Sequence, residues 1–237
     1  MKKKNKKYFV SCIVAAGGKG TRMGADINKI FLDILNIPVI CHTLSTLNKC
    51  KYIDEIIIVT AENDLPGCND IVKEFRFDKV KSITVGGETR QESVKNGLSE
   101  VCQNSDFVMV HDAARPLLSP EKLCEVIEAA FEHGAAALGV PEKNTLKAVD
   151  ENGFISHTID RSNVIAIHTP QIFRKDMIMR MYENAEKEEI SGTDDCCLAE
   201  VLGVKIKMVC DSYDNIKITT KEDLVIAEQI LTVKEDV

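Results

Sequence analysis

No stretch of this chain approaches the roughly 18 consecutive apolar residues that a membrane span requires, so nothing in it is expected to cross a bilayer. Its nine cysteines include no C-x-x-C pair, and the adjacent Cys196 and Cys197 are poorly placed for zinc or a simple disulfide. Cys12, Cys41 and Cys124 lie in apolar runs, where a thiol acts as a small hydrophobe. A reducing cytoplasm fits that usage, and no catalytic thiol is expected. The five histidines have no H-x-x-x-H metal spacing. His42, His133, His157 and His168 read as structural or exposed. Basic residues are the minority, 30 Lys and Arg against 37 Asp and Glu, for a net charge of −7. That balance argues against nucleic acid or an anionic membrane as the main partner. The cationic start, Met1 to Lys7, precedes an apolar run that is too short and lacks a cleavage pattern, so a solvated tail is expected there.

Two common phosphate loops are also absent. Gly18, Gly20 and Gly24 are spaced one residue too widely for G-x-G-x-x-G, and Arg22 sits inside them. Lys19 lies between glycines, and no Gly-Lys-Ser/Thr follows as a Walker A loop needs. What is present is a β-branched run, Phe9 to Val14, that ends in Ala15-Ala16-Gly17-Gly18-Lys19-Gly20-Thr21-Arg22-Met23-Gly24, with Lys29 beyond. Glycines let main-chain N–H groups approach a polyphosphate with no Cβ in the way. Lys19, Arg22 and Lys29 add positive charge beside them. Taken alone, the loop leaves an ordinary Gly-rich turn open as the plainer reading.

The 237 residues are 44% hydrophobic, enough for a sizeable core. They suit one domain, 1–237, carrying an insertion. Strand-like runs at Tyr8–Ala15, Glu55–Thr60, Ser82–Val85, Asp106–His111, Ala135–Val140 and Val204–Cys210 alternate with helical patterns. The helical stretches are Val39–Lys49, Thr89–Val101, Pro120–His133, Arg174–Lys187, Thr193–Leu202 and Thr220–Leu231. Thr89 with Glu92 reads as a capping box, and Ser119-Pro120 places a cap before a proline at the first helical position. The alternation predicts an α/β, Rossmann-like, mainly parallel sheet with helices on both faces. Ligands of such sheets sit beyond the carboxyl ends of the strands. After Pro141 the order breaks. Residues 142–165 predict a polar β-hairpin arm about the turn Asp150–Gly153, too small to be stable alone and expected to pack on a second subunit.

Three further motifs fall at strand ends. In His111-Asp112-Ala113-Ala114-Arg115-Pro116, Asp112 is placed to hold Mg²⁺ or another divalent cation, which takes a carboxylate, phosphate oxygens and waters. Arg115 suits a phosphate in bidentate fashion. A turn cap and a surface arginine are the plainer alternatives. Gly86-Gly87-Glu88-Thr89-Arg90-Gln91-Glu92-Ser93 is a Gly-rich turn entering a helix, where main-chain groups and Ser93 suit a base edge; for Arg90 and Gln91 a plain helix start serves nearly as well. In Asp214 to Thr220, read as the end of a late strand, Lys217 suits an α-phosphate or simply solvent, and Thr220 with Asp223 reads as a helix cap. Thr193-Asp194-Asp195 is likewise a good helix start.

In combination these motifs resemble the 2-C-methyl-D-erythritol 4-phosphate cytidylyltransferase family. The resemblance runs from about Phe9 to Glu228 and adds Thr158-Ile159-Asp160-Arg161 and Thr169-Pro170-Gln171 to the segments above. It implies transfer of a cytidylyl group from CTP to methylerythritol phosphate with loss of pyrophosphate. It also implies Ala15, Ala16, Gly17, Gly87 and Ser93 at the cytosine and ribose, and Arg22, Lys29 and Lys217 on the triphosphate as the catalytic cations. Asp112 would reach Mg²⁺ and the acceptor. Thr145 and Arg161, on the arm of a partner subunit in a homodimer, would hold the acceptor with Arg115, Thr169 and Thr193. One departure is Glu88, a longer carboxylate where the family often has Asp. The similar ribitol 5-phosphate cytidylyltransferases share the loop and the Asn-Ile-Lys motif but tend to carry proline where this chain has Asp160. A non-catalytic nucleotide-binding regulator is the other alternative. Against it stand Arg22, Lys29, Asp112 and Lys217, because a sensor need not keep every cation at the leaving phosphates.

Overall fold

The computed structural model describes residues 8–18 and 28–235. Most of the glycine loop, including Arg22, lies outside the described residues. Strand β1 (Val10–Ala15) leads to a small hairpin, β2 (Asp33–Ile34) and β3 (Ile37–Pro38). Helix α1 (Val39–Lys49), β4 (Glu55–Thr60), α2 (Leu65–Glu74), β5 (Val80–Val85), α3 (Arg90–Ser99), β6 (Phe107–Asp112), α4 (Pro120–His133) and β7 (Ala135–Pro141) follow. The arm holds β8 (Leu146–Val149) and β9 (Ile155–Ile159). The chain closes with β10 (Ile165–Arg174), α5 (Lys175–Lys187), α6 (Asp195–Val201), β11 (Lys207–Cys210) and α7 (Lys221–Glu235).

Seven strands make the central sheet in the order β11-β7-β10-β6-β1-β4-β5. All neighbours run parallel except β10, which is antiparallel to both β6 and β7. Strand periodicity divides the core cleanly. Cys12, Val14, Ile56, Ile58 and Met109 face α1 and α4, while Ile13, Ile57, Val59, Val108 and Val110 face α3, α5 and α6. Strands buried on both faces read as near-continuous apolar runs, which is why β1, β4 and β6 are so legible in sequence. A third cluster seats α7 against Ile34, Val39 and Ala114.

Helix starts follow their signals. Thr89 Oγ1 accepts from the Glu92 amide at 3.1 Å, and Glu92 Oε2 accepts from the Thr89 amide at 3.0 Å. Ser119 Oγ caps α4 by accepting from the Lys122 amide. Gly134 ends the same helix at φ +85°, a conformation that favours glycine. No helix among the described residues is long and apolar enough to cross a membrane.

Several expectations need correction. Strand β10 was not foreseen, because a proline inside a strand normally argues against one. A register shift between Ile167 and Gln171 accommodates Thr169-Pro170, whose peptide bond is cis. Helix α2 also escapes a pattern reading, since Pro66 and Gly67 open it. The Asp214–Thr220 segment is irregular and ends no strand, β11 having stopped at Cys210. Asp223 Oδ2 accepts from the Thr219 and Thr220 amides, giving the carboxylate half of the expected cap. The cap of α6 is Asp194 rather than Thr193, accepting from the Cys197 amide at 2.9 Å. The hairpin arm has the expected strands and turn, with Asp150 Oδ1 accepting from the Asn152 and Phe154 amides and Gly153 at φ +84°. It is not polar, however: Val149, Phe154 and Ile155 are all largely exposed on it.

Candidate active site

The carboxyl ends of β1, β4 and β6 meet at one edge of the sheet, where ligands of open α/β folds sit. Ala15 and Ala16 leave β1 here, the Ala15 carbonyl accepting from the Ala113 amide and the Ala16 amide donating to the Val59 carbonyl. Gly17 follows, and a Cβ built on it would lie 3.8 Å from Ser93 Oγ. The Gly86-Gly87 turn packs tightly on the first turn of α3. A Cβ on Gly86 would fall 2.5 Å from Ser93 Oγ, and one on Gly87 would fall 2.3 Å from Glu92 Cβ, so neither glycine can be replaced without movement. Ser93 Oγ accepts from the Gly87 amide at 3.1 Å and donates to the Thr89 carbonyl at 2.8 Å. Its hydroxyl thus fixes the turn, leaving main-chain groups of Gly87 and Glu88 at the surface. Lys29 opens a short 3-10 turn whose preceding residue, Asn28, donates to the Ala16 carbonyl at 3.0 Å and to Asp64 at 2.8 Å. The turn that carries Lys29 is thereby tied to the end of β1.

Asp112 ends β6 and is the centre of a cleft of about 220 Å³. Its carboxylate is buried, yet three cations reach it. Lys217 Nζ lies 2.7 Å from Oδ2, Arg90 Nε 3.5 Å from Oδ1 and Arg115 Nε 3.8 Å from Oδ2. Burial works to raise the Asp112 pKa, but Lys217, Arg90 and Arg115 overcome it and hold the group well below the usual carboxylate range. It is therefore ionised at any physiological pH. Arg115 is buried too. Its Nη1 donates to the Asn215 carbonyl at 2.7 Å, and Nε has no hydrogen-bond partner among the described residues. Asn215 is in turn held by Asp211, which also bonds His168 Nδ1 at 2.7 Å.

Thr169 stands on the cleft wall in β10. Its Oγ1 accepts from the Asp112 amide at 3.0 Å and pairs with His111 Nδ1 at 2.9 Å. Burial pushes the His111 pKa down to about 4, so the ring is neutral near pH 7. His111 supports the site from beneath; its Nε2 has no hydrogen-bond partner among the described residues. Thr193 lies exposed at the rim of the same cleft. Asp112, Arg115, Thr169, Thr193 and Lys217 are thus brought together, whereas Thr145 and Arg161 are not. Both are exposed on the arm, and Arg161 Nη1 donates to the Lys143 carbonyl of the same arm.

Two residues without an assigned role, Arg90 and Gln171, line the cleft, and a third, Gln91, lies beside it. Arg90 donates to Asp112 and Asp195, and Gln171 Oε1 accepts from the Asp195 and Cys196 amides. Gln91 clasps the same loop, donating to the Ile190 carbonyl and accepting from the Gly192 amide. The signal for them was the capping box, which puts Arg90 and Gln91 on the first turn of α3 beside the Gly-rich turn. His168, read as structural or exposed, is the partly buried partner of Asp211 on the cleft wall.

A larger hollow of about 740 Å³ lies at the opposite end of the sheet, by Tyr8, Phe131 and Arg174. Its cations are already engaged, Arg174 with Asp176 and Lys175 with the Cys102 and Gln103 carbonyls. Three cations, Arg90, Arg115 and Lys217, line the smaller cleft against two carboxylates, Asp112 and Asp194, whereas two cations face three carboxylates in the larger hollow, which makes the smaller cleft the better anion site. The described residues contain no cluster of three or more His, Cys, Asp or Glu able to cage a metal. A single carboxylate is sufficient for Mg²⁺ when phosphate oxygens and waters complete the shell. Asp112 suits that mode, because it is ionised and its Oδ1 has only the long Arg90 contact.

With this geometry in view, three comparisons converge. The profile of the 2-C-methyl-D-erythritol 4-phosphate cytidylyltransferase family matches residues 10–233. The 2-C-methyl-D-erythritol 4-phosphate cytidylyltransferase of Caldanaerobacter subterraneus subsp. tengcongensis is 43% identical over 223 residues, 94% of this chain and 98% of that one. That of Alkaliphilus metalliredigens is 42% identical, covering 96% and 95%. Among solved structures, 4-diphosphocytidyl-2C-methyl-D-erythritol synthase from Anaerococcus prevotii superposes with a TM-score of 0.85 at 33% identity, covering 95% of this chain and 97% of that one.

Proposed function

Because the chain belongs to the 2-C-methyl-D-erythritol 4-phosphate cytidylyltransferase family, its activity is cytidylyl transfer to 2-C-methyl-D-erythritol 4-phosphate, and we propose that the Asp112 cleft is where the transfer occurs. The observation that carries this reading is the convergence of Arg90, Arg115 and Lys217 on one ionised carboxylate at the end of β6. CTP lies with its base against Ala15, Ala16, Gly17 and the Gly87–Ser93 turn. Its triphosphate runs toward Lys29, Arg22 and Lys217. The acceptor phosphate takes Arg115, with Thr169 and Thr193 at its side.

The chemistry is an in-line displacement. An oxygen of the acceptor phosphate attacks the α-phosphorus of CTP, the new phosphoanhydride bond forms, and the bond to pyrophosphate breaks. A phosphomonoester has a second pKa of about 6, so the attacking oxygen already carries charge near pH 7. No general base is needed, in keeping with a neutral, buried His111 that works only through Thr169. Lys29, Lys217 and Arg22 stabilise the charge that develops on the leaving phosphates, and positioning supplies the rest. Mg²⁺, or another divalent cation, would be held by Asp112 with phosphate oxygens and would supply further neutralisation of the triphosphate.

We also read the chain as one domain whose 142–165 arm exchanges in a homodimer, the partner's arm bringing Thr145 and Arg161 to the acceptor. Exposed Val149, Phe154 and Ile155 support an arm that packs on something. The free cysteines, most of them buried, fit a reducing cytoplasm. Pyrophosphate release from CTP, with methylerythritol phosphate and ribitol phosphate assayed side by side, tests the acceptor. Preference for ribitol phosphate would overturn it, and binding of CTP without turnover would return the regulator.

A further inference from the structure

Behind the cleft runs a line of polar and charged groups whose inner end, Tyr182 and Asp195, the transfer reaction as described does not use. Tyr182, on α5, is buried, and its hydroxyl donates to Asp195 Oδ1 at 2.5 Å. Asp195 is fully buried, and its Oδ2 accepts from Arg90 Nη2 at 2.9 Å. Arg90 Nε then faces Asp112 Oδ1 at 3.5 Å, and Asp112 Oδ2 accepts from Lys217 Nζ at 2.7 Å. The Asp195 amide donates to Gln171 Oε1 at 3.0 Å, which pins the carboxylate's own backbone to β10.

The distances are uneven in an informative way. A guanidinium beside a carboxylate normally forms a two-pronged pair with both bonds near about 2.8 Å. Arg90 does not do so with Asp112. Its short bond goes to Asp195, and only a long contact is left for Asp112. A carboxylate removed from water needs its cation and its remaining donors in place. Asp195 has both, one oxygen held by Tyr182 and the other by Arg90, so it is fixed in orientation. A fixed Asp195 fixes Arg90, and Asp112 stays with Lys217.

We propose that Tyr182 and Asp195 are positioning residues for cytidylyl transfer: by holding Arg90 away from a two-pronged pair with Asp112, they keep Asp112 matched to Lys217 in the cleft. This rests on the reading of the cleft as the transfer site.

The test is a cycle on kcat, read under single-turnover conditions so that slow variants stay measurable. Tyr182→Phe keeps the buried ring and removes one hydrogen bond to a charged group. It should lower kcat about tenfold while the KM for CTP stays nearly unchanged. Asp195→Asn should lower kcat further. In an Arg90→Lys background, where no planar fork exists to be held, Tyr182→Phe should have almost no added effect. Melting curves for each variant accompany the cycle. An equal fall in both backgrounds would mean that Tyr182 supports the fold in general, and wild-type kcat in Tyr182→Phe would mean that it does nothing; either overturns the inference. Lys217→Ala, assayed alongside, separates the two levels. Retained turnover there would remove the cleft reading itself, whereas its loss with an uncoupled Tyr182 removes only the positioning role.

Discussion

The Asp112 cleft and the arm of residues 142–165 are both assigned to the acceptor, and they are built in opposite ways. In the cleft, these polar and charged groups are held by groups from other elements: Asp112 by Lys217 and Arg90, Arg115 by the Asn215 carbonyl, Thr169 by the Asp112 amide and His111. On the arm, Arg161 reaches Lys143 and acts on the neighbouring Glu142 of the same arm, and Asp160 caps Ser162. One chain can order the first set unaided, because the sheet brings its parts together. It leaves the second set in solvent, on the same arm as the largely exposed Val149, Phe154 and Ile155. The difference separates what the monomer positions from what a second copy is proposed to position.

The strongest blow to that comparison is aimed at the cleft. Lys217→Ala should reduce kcat by roughly 10²–10³, the scale of one lost transition-state donor, and should also lower the melting temperature, since it takes away the cation nearest the buried Asp112 carboxylate. Near-normal turnover would show that the cleft is not where charge develops. A second prediction uses pH. His111 titrates near 6.5 when unfolded and near 4 when folded, so the unfolded chain takes up the proton first as pH falls. Stability should therefore be constant above about 6.5 and decline by up to about 3 kcal/mol on going down to about 4. Urea melts across that range should show the decline in the wild type and a shallower one in His111→Gln. An unchanged profile would remove His111 from the buried support of the cleft.

The arm should respond more mildly. Arg161→Ala should cost roughly 10- to 100-fold in kcat/KM for the acceptor, as for a hydrogen bond to a charged group, and leave the KM for CTP alone. Mixed with Lys217→Ala chains it should regain activity, because a heterodimer would hold one intact composite site. No recovery in proven heterodimers would assign Arg161 to its own chain. The smallest effect is expected from Phe154→Ser, which removes a ring that is 71% exposed in the monomer. If a partner covers that ring, dimer dissociation should strengthen by about tenfold, readable by sedimentation on dilution. An unchanged constant would mean that the arm's apolar face meets nothing in the dimer.

How far the sequence foretold these two regions depends on the kind of signal each residue leaves. The doubly buried strands β1, β4 and β6 announce themselves as apolar runs; α1 lies where its helical pattern puts it, and α4 where its pattern and the Ser119 cap put it. Asp112 and Arg115 are legible because a motif at the end of β6 concentrates charge, and Lys217 through its own motif, although that segment ends no strand. Asp195 and Tyr182 are not, since an Asp after an Asp is most simply a helix start and a Tyr in an amphipathic helix is most simply core. Their roles depend on contacts spanning 105 and 13 residues, which no local pattern encodes. β10 was hidden by its proline, and the exposed apolar side chains of the arm by the polar turn between its strands.

β10 has a further consequence. It runs unbroken from the foot of the arm to the cleft wall, with Ile165 beside Pro141 and Gln171 beside Val110. Successive side chains of a strand face opposite ways, so one inserted residue reverses every direction beyond it. The shift between Ile167 and Gln171 already uses the available slack. At the arm's tip, by contrast, a Cβ on Gly153 would meet no atom within 4 Å. The fold therefore has a free margin and a fixed frame only a dozen residues apart by chain count. Length can drift at the tip without reaching the cleft, whereas between Val164 and Thr169 a single added or deleted residue would turn Thr169 and Gln171 out of phase with Asp112 and Asp195.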